Sequence, residues 1–549
     1  MKYLEELQSV FKGDIDTSPA TLEKYSEDTS IFKILPSAVV FPKDVEDLKQ
    51  LVKFANQHKD EISLTARSAG TDMSGGPLTS SVVVDFLRYF NKIKYVDNKI
   101  AITEPGVFYR DFDIETLKHG VILPSYTASR DLNTVGGMVA NNSAGEKSLT
   151  YGKTERYVQS LKMVLFDGNE YEFKKLSREE WESKLKLSTY EGQIYQKIDA
   201  LIQKNQASIK AEKPIVSKNS AGYNIWNVYD EKSDTFDLTQ LFVGSQGTLG
   251  FVTEITFSLV TIPDKSRMLV LFLRAKHLPK LGEIINQVLR FHPESFESYD
   301  DKTFNVMLKV FPKLVKRLGG NIFGMTRDFW PEIKMVVSGG IPKLVLMAEF
   351  TSVDELDVIH TVQKAEKIIQ DKFGLNTHIT KSKAEANKYW LIRRESFKLL
   401  RENVSGLHTA PFIDDISVAP KYLPEFIPEL YGVLDEYKLI YTVAGHVGDG
   451  NFHIIPLMDF SHPDFVSIIK ELSEKVYTLV GRYHGSITGE HNDGLIRTPF
   501  LHKMFSPLML GIFMEIKNIF DENNIFNPNK KVNGDMNLMV NSIKKYSNN

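Results

Sequence analysis

Two histidines flank a glycine-rich turn in Tyr441-Thr-Val-Ala-Gly-His446-Val-Gly-Asp-Gly-Asn451-Phe-His453, and further on a carboxylate and an imidazole stand side by side in Gly489-Glu490-His491. VGDGN between two strand-like runs is a tight-turn sequence, which draws His446 and His453 towards each other. Two histidines and one carboxylate, His446, His453 and Glu490, leave coordination positions open. That set suits a catalytic Zn2+, and also Fe2+ or Mn2+. Neighbours on an extended segment point in opposite directions, so Glu490 and His491 are expected to serve different partners. The plainer alternative is a pair of hydrogen-bonded core histidines beside an ordinary turn. A Glu-His step in a later glycine-framed loop weighs against it.

Three loops of small residues lie in the other half of the chain. They are RSAGTDMSGG from Arg67, the stretch Pro124–Gly152 containing TVGGMVANNSAG, and VGSQGTLGFVTEITFSL over Val243–Leu259. Glycine lets backbone N–H groups come close to a ligand, and such groups cradle phosphates. The second loop adds amide side chains able to bond a flat heterocycle. None matches G-x-G-x-x-G or G-x-x-x-x-G-K-[ST], which weakens the nicotinamide and nucleoside-triphosphate readings. A single such loop is an ordinary surface turn. Three in one half call for a bound ligand.

These loops need a scaffold. From Val39 to Phe86 the pattern runs strand, helix, strand, with Asp44 capping a helix whose apolar face is Val45, Leu48, Leu51, Val52 and Ala55. Leu176–Lys213 reads as a charged helical surface segment. Past Ile262 the glycine loops stop and Pro263 marks a boundary. The second half alternates strands (MLVLFLRA, KLVLMAEF, LIYTVAGH, NFHIIPL) with helices (Leu278–Phe291, Val353–Phe373, His462–His484). The expected division is 1–35, a helical extension; 36–262, the loop-bearing domain; 263–535, a second domain; and 536–549, a tail.

Composition narrows the chemistry. The 549 residues exceed one hydrophobic core, and 67 basic against 70 acidic residues give a net charge of −3, with no broad attraction for nucleic acid. There is no cysteine, so thiolate metal sites, cysteine-ligated iron–sulfur clusters and a cysteine nucleophile are excluded within this sequence. The N-terminus reads as a short amphipathic helix and not a signal peptide, and no apolar run reaches membrane-spanning length. The expected location is the cytoplasm, or peripheral to the inner membrane face.

The loop order and the H-x-G-D-G-N-x-H pattern followed by G-E-H resemble the vanillyl-alcohol-oxidase/para-cresol-methylhydroxylase superfamily of flavoproteins. The branch is that of glycolate-oxidase-subunit-D-like, D-lactate and D-2-hydroxyglutarate dehydrogenases, over Pro36 to Val532. The resemblance implies an α+β chain: a PCMH-type FAD-binding domain of two α/β subdomains, then a FAD-linked oxidase C-terminal substrate domain with a sheet layered by helices. It implies noncovalent FAD held by Arg67, Ser68, Ala69, Gly70, Thr71, Asp72, Ser74 and Gly75. The second loop would add Pro124, Thr134, Gly136, Gly137, Asn141, Ser143, Ala144 and Gly145, and the third Gly247, Gly250, Val252 and Thr253. By the same resemblance His446, His453 and Glu490 bind the metal, His491 is the base, and Asn451 supports the site or touches substrate. Arg393 pairs with the substrate carboxylate, ahead of Arg394; the alternative is a helix charge paired with Glu395.

Three departures stand out. The first loop has Ser68, Ala69 and Asp72 where the family is richer in glycine, Asn492 follows His491 where glycine is usual, and HTAPFIDDISVAP lacks the lysine of the hydroxyglutarate enzymes. The implied reaction is oxidation of a D-2-hydroxy acid to the 2-keto acid with hydride transfer to flavin N5, D-lactate ahead of D-2-hydroxyglutarate or glycolate. The electron acceptor is a quinone, an electron-transferring flavoprotein or a separate iron–sulfur subunit, and a homodimer is expected. The rivals are a metal-dependent hydrolase, a non-catalytic flavin-binding electron-transfer subunit, and a lactone or alcohol oxidase of the same superfamily.

Overall fold

A computed structural model describes residues 2–301, 340–402 and 406–544. The chain forms two compact units. The first comprises Met1–Gly145, Gly152–Thr261 and Ser486–Lys544; the second is built from Glu146–Tyr151 and Ile262–Gly485. The segment carrying Glu490 and His491 thus packs with the loop-bearing unit, whereas a contiguous division at 262 places it in the second domain.

Among the described residues the first unit has two larger sheets and a two-stranded ribbon, Tyr229–Asp230 with Thr235–Phe236. One is four-stranded, in the order Asp14–Asp16, Ala38–Phe41, Val82–Asp85, Leu64–Arg67, its last three strands parallel. The helix Val45–Gln57 is the crossover that carries the chain from Ala38–Phe41 to Leu64–Arg67, the two parallel strands that flank Val82–Asp85. Its N-cap is Asp44, which accepts from the Asp47 amide at 2.9 Å. Leu48, Leu51, Val52 and Ala55 are fully buried. Residues 1–35 are no appendage: Leu7 and Phe11 lie in the same core as Val40, Leu48 and Leu64, and Asp14–Asp16 pairs antiparallel with Val39–Phe41.

The other sheet is a five-stranded antiparallel one in the order Ile93–Val96, Ile100–Thr103, Phe251–Ser258, Val158–Val164, Glu170–Lys174. Phe251–Ser258 alternates buried and half-buried residues along its length, the signature of a strand with one covered face. The charged segment from Leu176 folds as two helices, Arg178–Leu185 and Tyr190–Ala211, whose inner faces bury Trp181, Tyr195 and Ile198.

Among the described residues the second unit is one antiparallel sheet of eight strands covered by helices. Met268, Val270 and Phe272 alternate along Lys265–Leu273 and pack with Tyr299, Val345, Met347 and the helix residues Ala386, Tyr389, Trp390 and Ile392. The hairpin Ile440–His446 and Asn451–Met458 pairs His446 with Asn451 and Ala444 with His453. Directly opposed residues share a sheet face, so His446, Asn451 and His453 all project from one side. The turn between them needs glycine at 450: its φ is +67°, and a Cβ there would stand 1.8 Å from the Val418 carbonyl oxygen.

Candidate active site

In the second unit the two hairpin histidines come together, with ring centroids 5.3 Å apart. Each uses Nδ1 on a buried carboxylate. His446 Nδ1 lies 2.5 Å from Glu297 Oε1, and His453 Nδ1 lies 3.0 Å from Asp414 Oδ1. An ionised carboxylate only accepts, which assigns the Nδ1 proton to each ring and makes Nε2 the nitrogen whose lone pair can ligate. This donor set fits a divalent metal of the Zn2+, Fe2+ or Mn2+ kind, in the usual carboxylate–histidine–metal arrangement.

Asn451 is fully buried; its Nδ2 donates to Asp415 Oδ1 at 3.0 Å and to the Ile416 carbonyl at 3.1 Å. Its Oδ1 has no hydrogen-bond partner among the described residues. Arg393, on the helix Lys383–Glu402, is buried with Nε 3.3 Å from Glu297 Oε2. The alternative pairing of Arg393 with Glu395 falls on a side chain outside the described residues. Arg394 forms a two-pronged ion pair with Glu146.

In the first unit the three small-residue loops converge. Asp72 Oδ1 accepts from Asn141 Nδ2 at 3.0 Å, Thr134 Oγ1 donates to Ser68 Oγ at 2.8 Å, and Gln246 Nε2 donates to Ser74 Oγ at 3.2 Å. Thr134 caps the helix Val135–Asn141 by accepting from the Gly137 amide, and a Cβ on Gly137 would stand 3.3 Å from Ser68 Oγ. Asp72 is accounted for by its own loop: Oδ2 accepts from the amides of Ser74 and Gly76 at 2.9 and 2.8 Å. The amides of Ala69, Gly70 and Thr71 meet no protein acceptor among the described residues. A run of backbone donors beside small side chains from three loops fits the pyrophosphate and ring of FAD. Asp28 accepts from the Gly75 amide at 3.1 Å. Burial, with Asp72 nearby, pushes its carboxyl up to about 7.

Other residues of the implied FAD set hold the scaffold. Arg67 donates to the carbonyls of Tyr25 and Glu27 at 2.9 and 2.6 Å. Gly75, Gly136, Gly145 and Gly250 admit Phe32, Pro105, the Tyr126 carbonyl and the Val164–Leu165 backbone and side chain, each closer than 3.0 Å to a would-be Cβ. Gly247 takes a φ of +69°. Val252 and Thr253 lie in the strand Phe251–Ser258, where Thr253 donates to Glu170 at 2.5 Å. Ser143 accepts from Thr154 through its carbonyl at 3.0 Å, and Pro124 and Ala144 are buried.

Glu490 is buried in this unit and paired with the equally buried Lys218, 272 residues away in the chain. The loop around Glu490 and His491 is pinned on both sides. Lys153 Nζ and Ser220 Oγ donate to the Gly489 carbonyl at 2.8 and 3.0 Å. Asn492 Nδ2 donates to the Gly244 carbonyl at 2.8 Å, and its Oδ1 accepts from Lys531 at 2.7 Å. Asn492 has a φ of +67°, which explains why asparagine can stand where glycine is usual. We expect Asn492→Ala to destabilise the protein more than Asn492→Gly, by about 1 kcal/mol in chemical denaturation, because both lose the side-chain bonds but only alanine meets the left-handed backbone penalty. Equal losses would remove the conformational part of this account.

Lys218, Gln246, Glu297 and Asp414 escape sequence reasoning, since each is one polar residue among many until the chain folds.

The family profile for the FAD binding domain matches residues 36–174, and that for the C-terminal domain of FAD linked oxidases matches residues 268–531. The D-2-hydroxyglutarate dehydrogenase of Haemophilus influenzae is 26% identical over 96% of this chain and 51% of its own length. The D-lactate dehydrogenase of Archaeoglobus fulgidus is 26% identical over 97% of this chain and 99% of its own. The solved structure of p-cresol methylhydroxylase with substrate bound superposes with a TM-score of 0.66 at 16% identity, covering 98% of this chain and 97% of that one, a likeness of fold. The chain spans about half the length of the hydroxyglutarate dehydrogenases of Haemophilus influenzae and Escherichia coli that it matches. With both profiles matched in order along its length, the chain belongs to the FAD-linked oxidases.

Proposed function

We propose that this protein is a FAD-dependent, metal-assisted dehydrogenase of small D-2-hydroxy acids. The observation that carries the reading is the pair His446 and His453, each fixed through Nδ1 on a buried carboxylate, in a chain with both FAD-linked oxidase domains. The names of the relatives, D-2-hydroxyglutarate and D-lactate dehydrogenase, supply the substrate class. D-Lactate stands ahead of D-2-hydroxyglutarate because His408–Pro420 contains no lysine for a second carboxylate.

Bound FAD would supply a two-electron acceptor, and a divalent metal, Zn2+ in this reading, a Lewis acid for the substrate hydroxyl. His446 and His453 would offer Nε2 as metal ligands, and by the family resemblance Glu490 would add its carboxylate. Ser68–Thr71, Thr134, Gly137 and Asn141 would hold the cofactor. Arg393 orients the substrate carboxylate. His491 takes the hydroxyl proton as general base. A quinone, an electron-transferring flavoprotein or an iron–sulfur subunit completes turnover as electron acceptor.

The test is an anaerobic visible spectrum of the purified protein, followed by D-lactate, L-lactate, glycolate and D-2-hydroxyglutarate in turn. Flavin bands that bleach with a D-acid and not with L-lactate are expected. A colourless protein that stays colourless after incubation with FAD would overturn the proposal.

A further inference from the structure

Glu297 has no part in the reaction outlined above, yet it touches two of its proposed participants. It lies in the strand Ser295–Asp300, whose Tyr299 pairs with Ala444 and Ser298 with Gly445. Continuing that register sets Glu297 opposite His446, on the sheet face that also carries Asn451 and His453. The side chain is 1% exposed, and its two oxygens face different partners: Oε1 stands 2.5 Å from His446 Nδ1 and Oε2 stands 3.3 Å from Arg393 Nε. A buried carboxylate without compensating partners is costly, and here a cation and an N–H donor meet it. Asp414 stands behind the other histidine, its Oδ1 3.0 Å from His453 Nδ1.

We infer that Glu297 is a positioning residue serving both halves of substrate recognition: it orients His446 to ligate through Nε2 and holds the Arg393 charge in place by its ion pair. This rests on the metal-assisted reading of the preceding subsection. The physical logic is that a carboxylate behind a ligating imidazole fixes its tautomer and raises its basicity, and that loss of such a partner typically costs about 10–100-fold in metal affinity. A carboxylate that also holds the substrate's arginine must, when lost, weaken substrate binding even at saturating metal.

The experiment uses the full chain loaded with FAD, stripped of metal and titrated with Zn2+ against a chelating dye, with steady-state kinetics on the best D-acid at saturating Zn2+. Glu297→Gln is expected to weaken Zn2+ binding about 10-fold or more and, with metal saturated, to raise KM for the acid more than it lowers kcat. Glu297→Asp, which keeps the charge, recovers part of both losses, and it carries the test should the glutamine variant not fold. Zn2+ binding by Glu297→Gln equal to that of the unsubstituted protein, or an unchanged KM at saturating Zn2+, would overturn the inference while leaving the metal reading intact. An unsubstituted protein that binds no Zn2+ overturns the metal reading and this inference with it.

Discussion

His491→Ala should yield a protein that keeps its flavin and is reduced by D-hydroxy acid about 10²–10⁴-fold more slowly, the usual worth of a positioned general base. The expectation that the cofactor stays bound has a structural basis. The three loops proposed to hold FAD are tied together by Asp72–Asn141, Thr134–Ser68 and Gln246–Ser74, none of which involves His491. The loop geometry is also expected to survive, because its anchors are the Gly489 carbonyl, held by Lys153 and Ser220, and the Asn492 amide, held by Gly244. Truncating the side chain between those anchors therefore removes an imidazole without releasing the backbone. Anaerobic stopped-flow at the flavin band separates the two possibilities. Slow reduction with full flavin content places the base at His491. Reduction within a few-fold of the unsubstituted rate moves the base elsewhere, and loss of flavin would show that the residue is structural.

What the sequence made legible was local. The strand–helix–strand run from Val39 to Phe86 could be read because its periodicity and the Asp44 cap lie within a few residues of one another. The His446–His453 hairpin was readable for the same reason: VGDGN is a self-contained turn. The departures from family pattern were visible as departures, but their causes were not. Asp72 spends its carboxylate on its own loop's amides, and Asn492 occupies a left-handed position while bridging to Gly244 and Lys531. The Asn492 bridges span 248 and 39 residues of chain, beyond any short window. The same holds for Lys218 and Glu490, which become partners only after long-range folding, and for Leu7 and Phe11, whose amphipathic helix gives no hint of the core it completes. Polar partnerships at long sequence separation leave no periodic trace, so the second layer of the candidate site had to come from the fold.

Among those hidden partnerships, the one at Lys531 should have the largest effect on stability. Its ammonium and the Asp493 carboxylate are both fully buried and 2.8 Å apart. Lys531 Nζ also donates to the Ser220 carbonyl at 2.8 Å and to Asn492 Oδ1 at 2.7 Å. Burial pulls the Lys531 pKa below its ordinary value even with Asp493 beside it. Desolvation thus outweighs the attraction, as is common for buried pairs. The consequence is asymmetric. Lys531→Met strands the Asp493 charge and two acceptors and should cost about 3–5 kcal/mol in chemical denaturation of the flavin-loaded protein. Pairing Lys531→Met with Asp493→Asn removes the stranded charge, so the double variant should be more stable than Lys531→Met alone. That coupling is the decisive quantity, because a cavity or packing defect at Lys531 would be additive with Asp493→Asn. Additive losses, or a single-variant loss below about 1 kcal/mol, would mean that the pair is not what holds the segment after His491 in place.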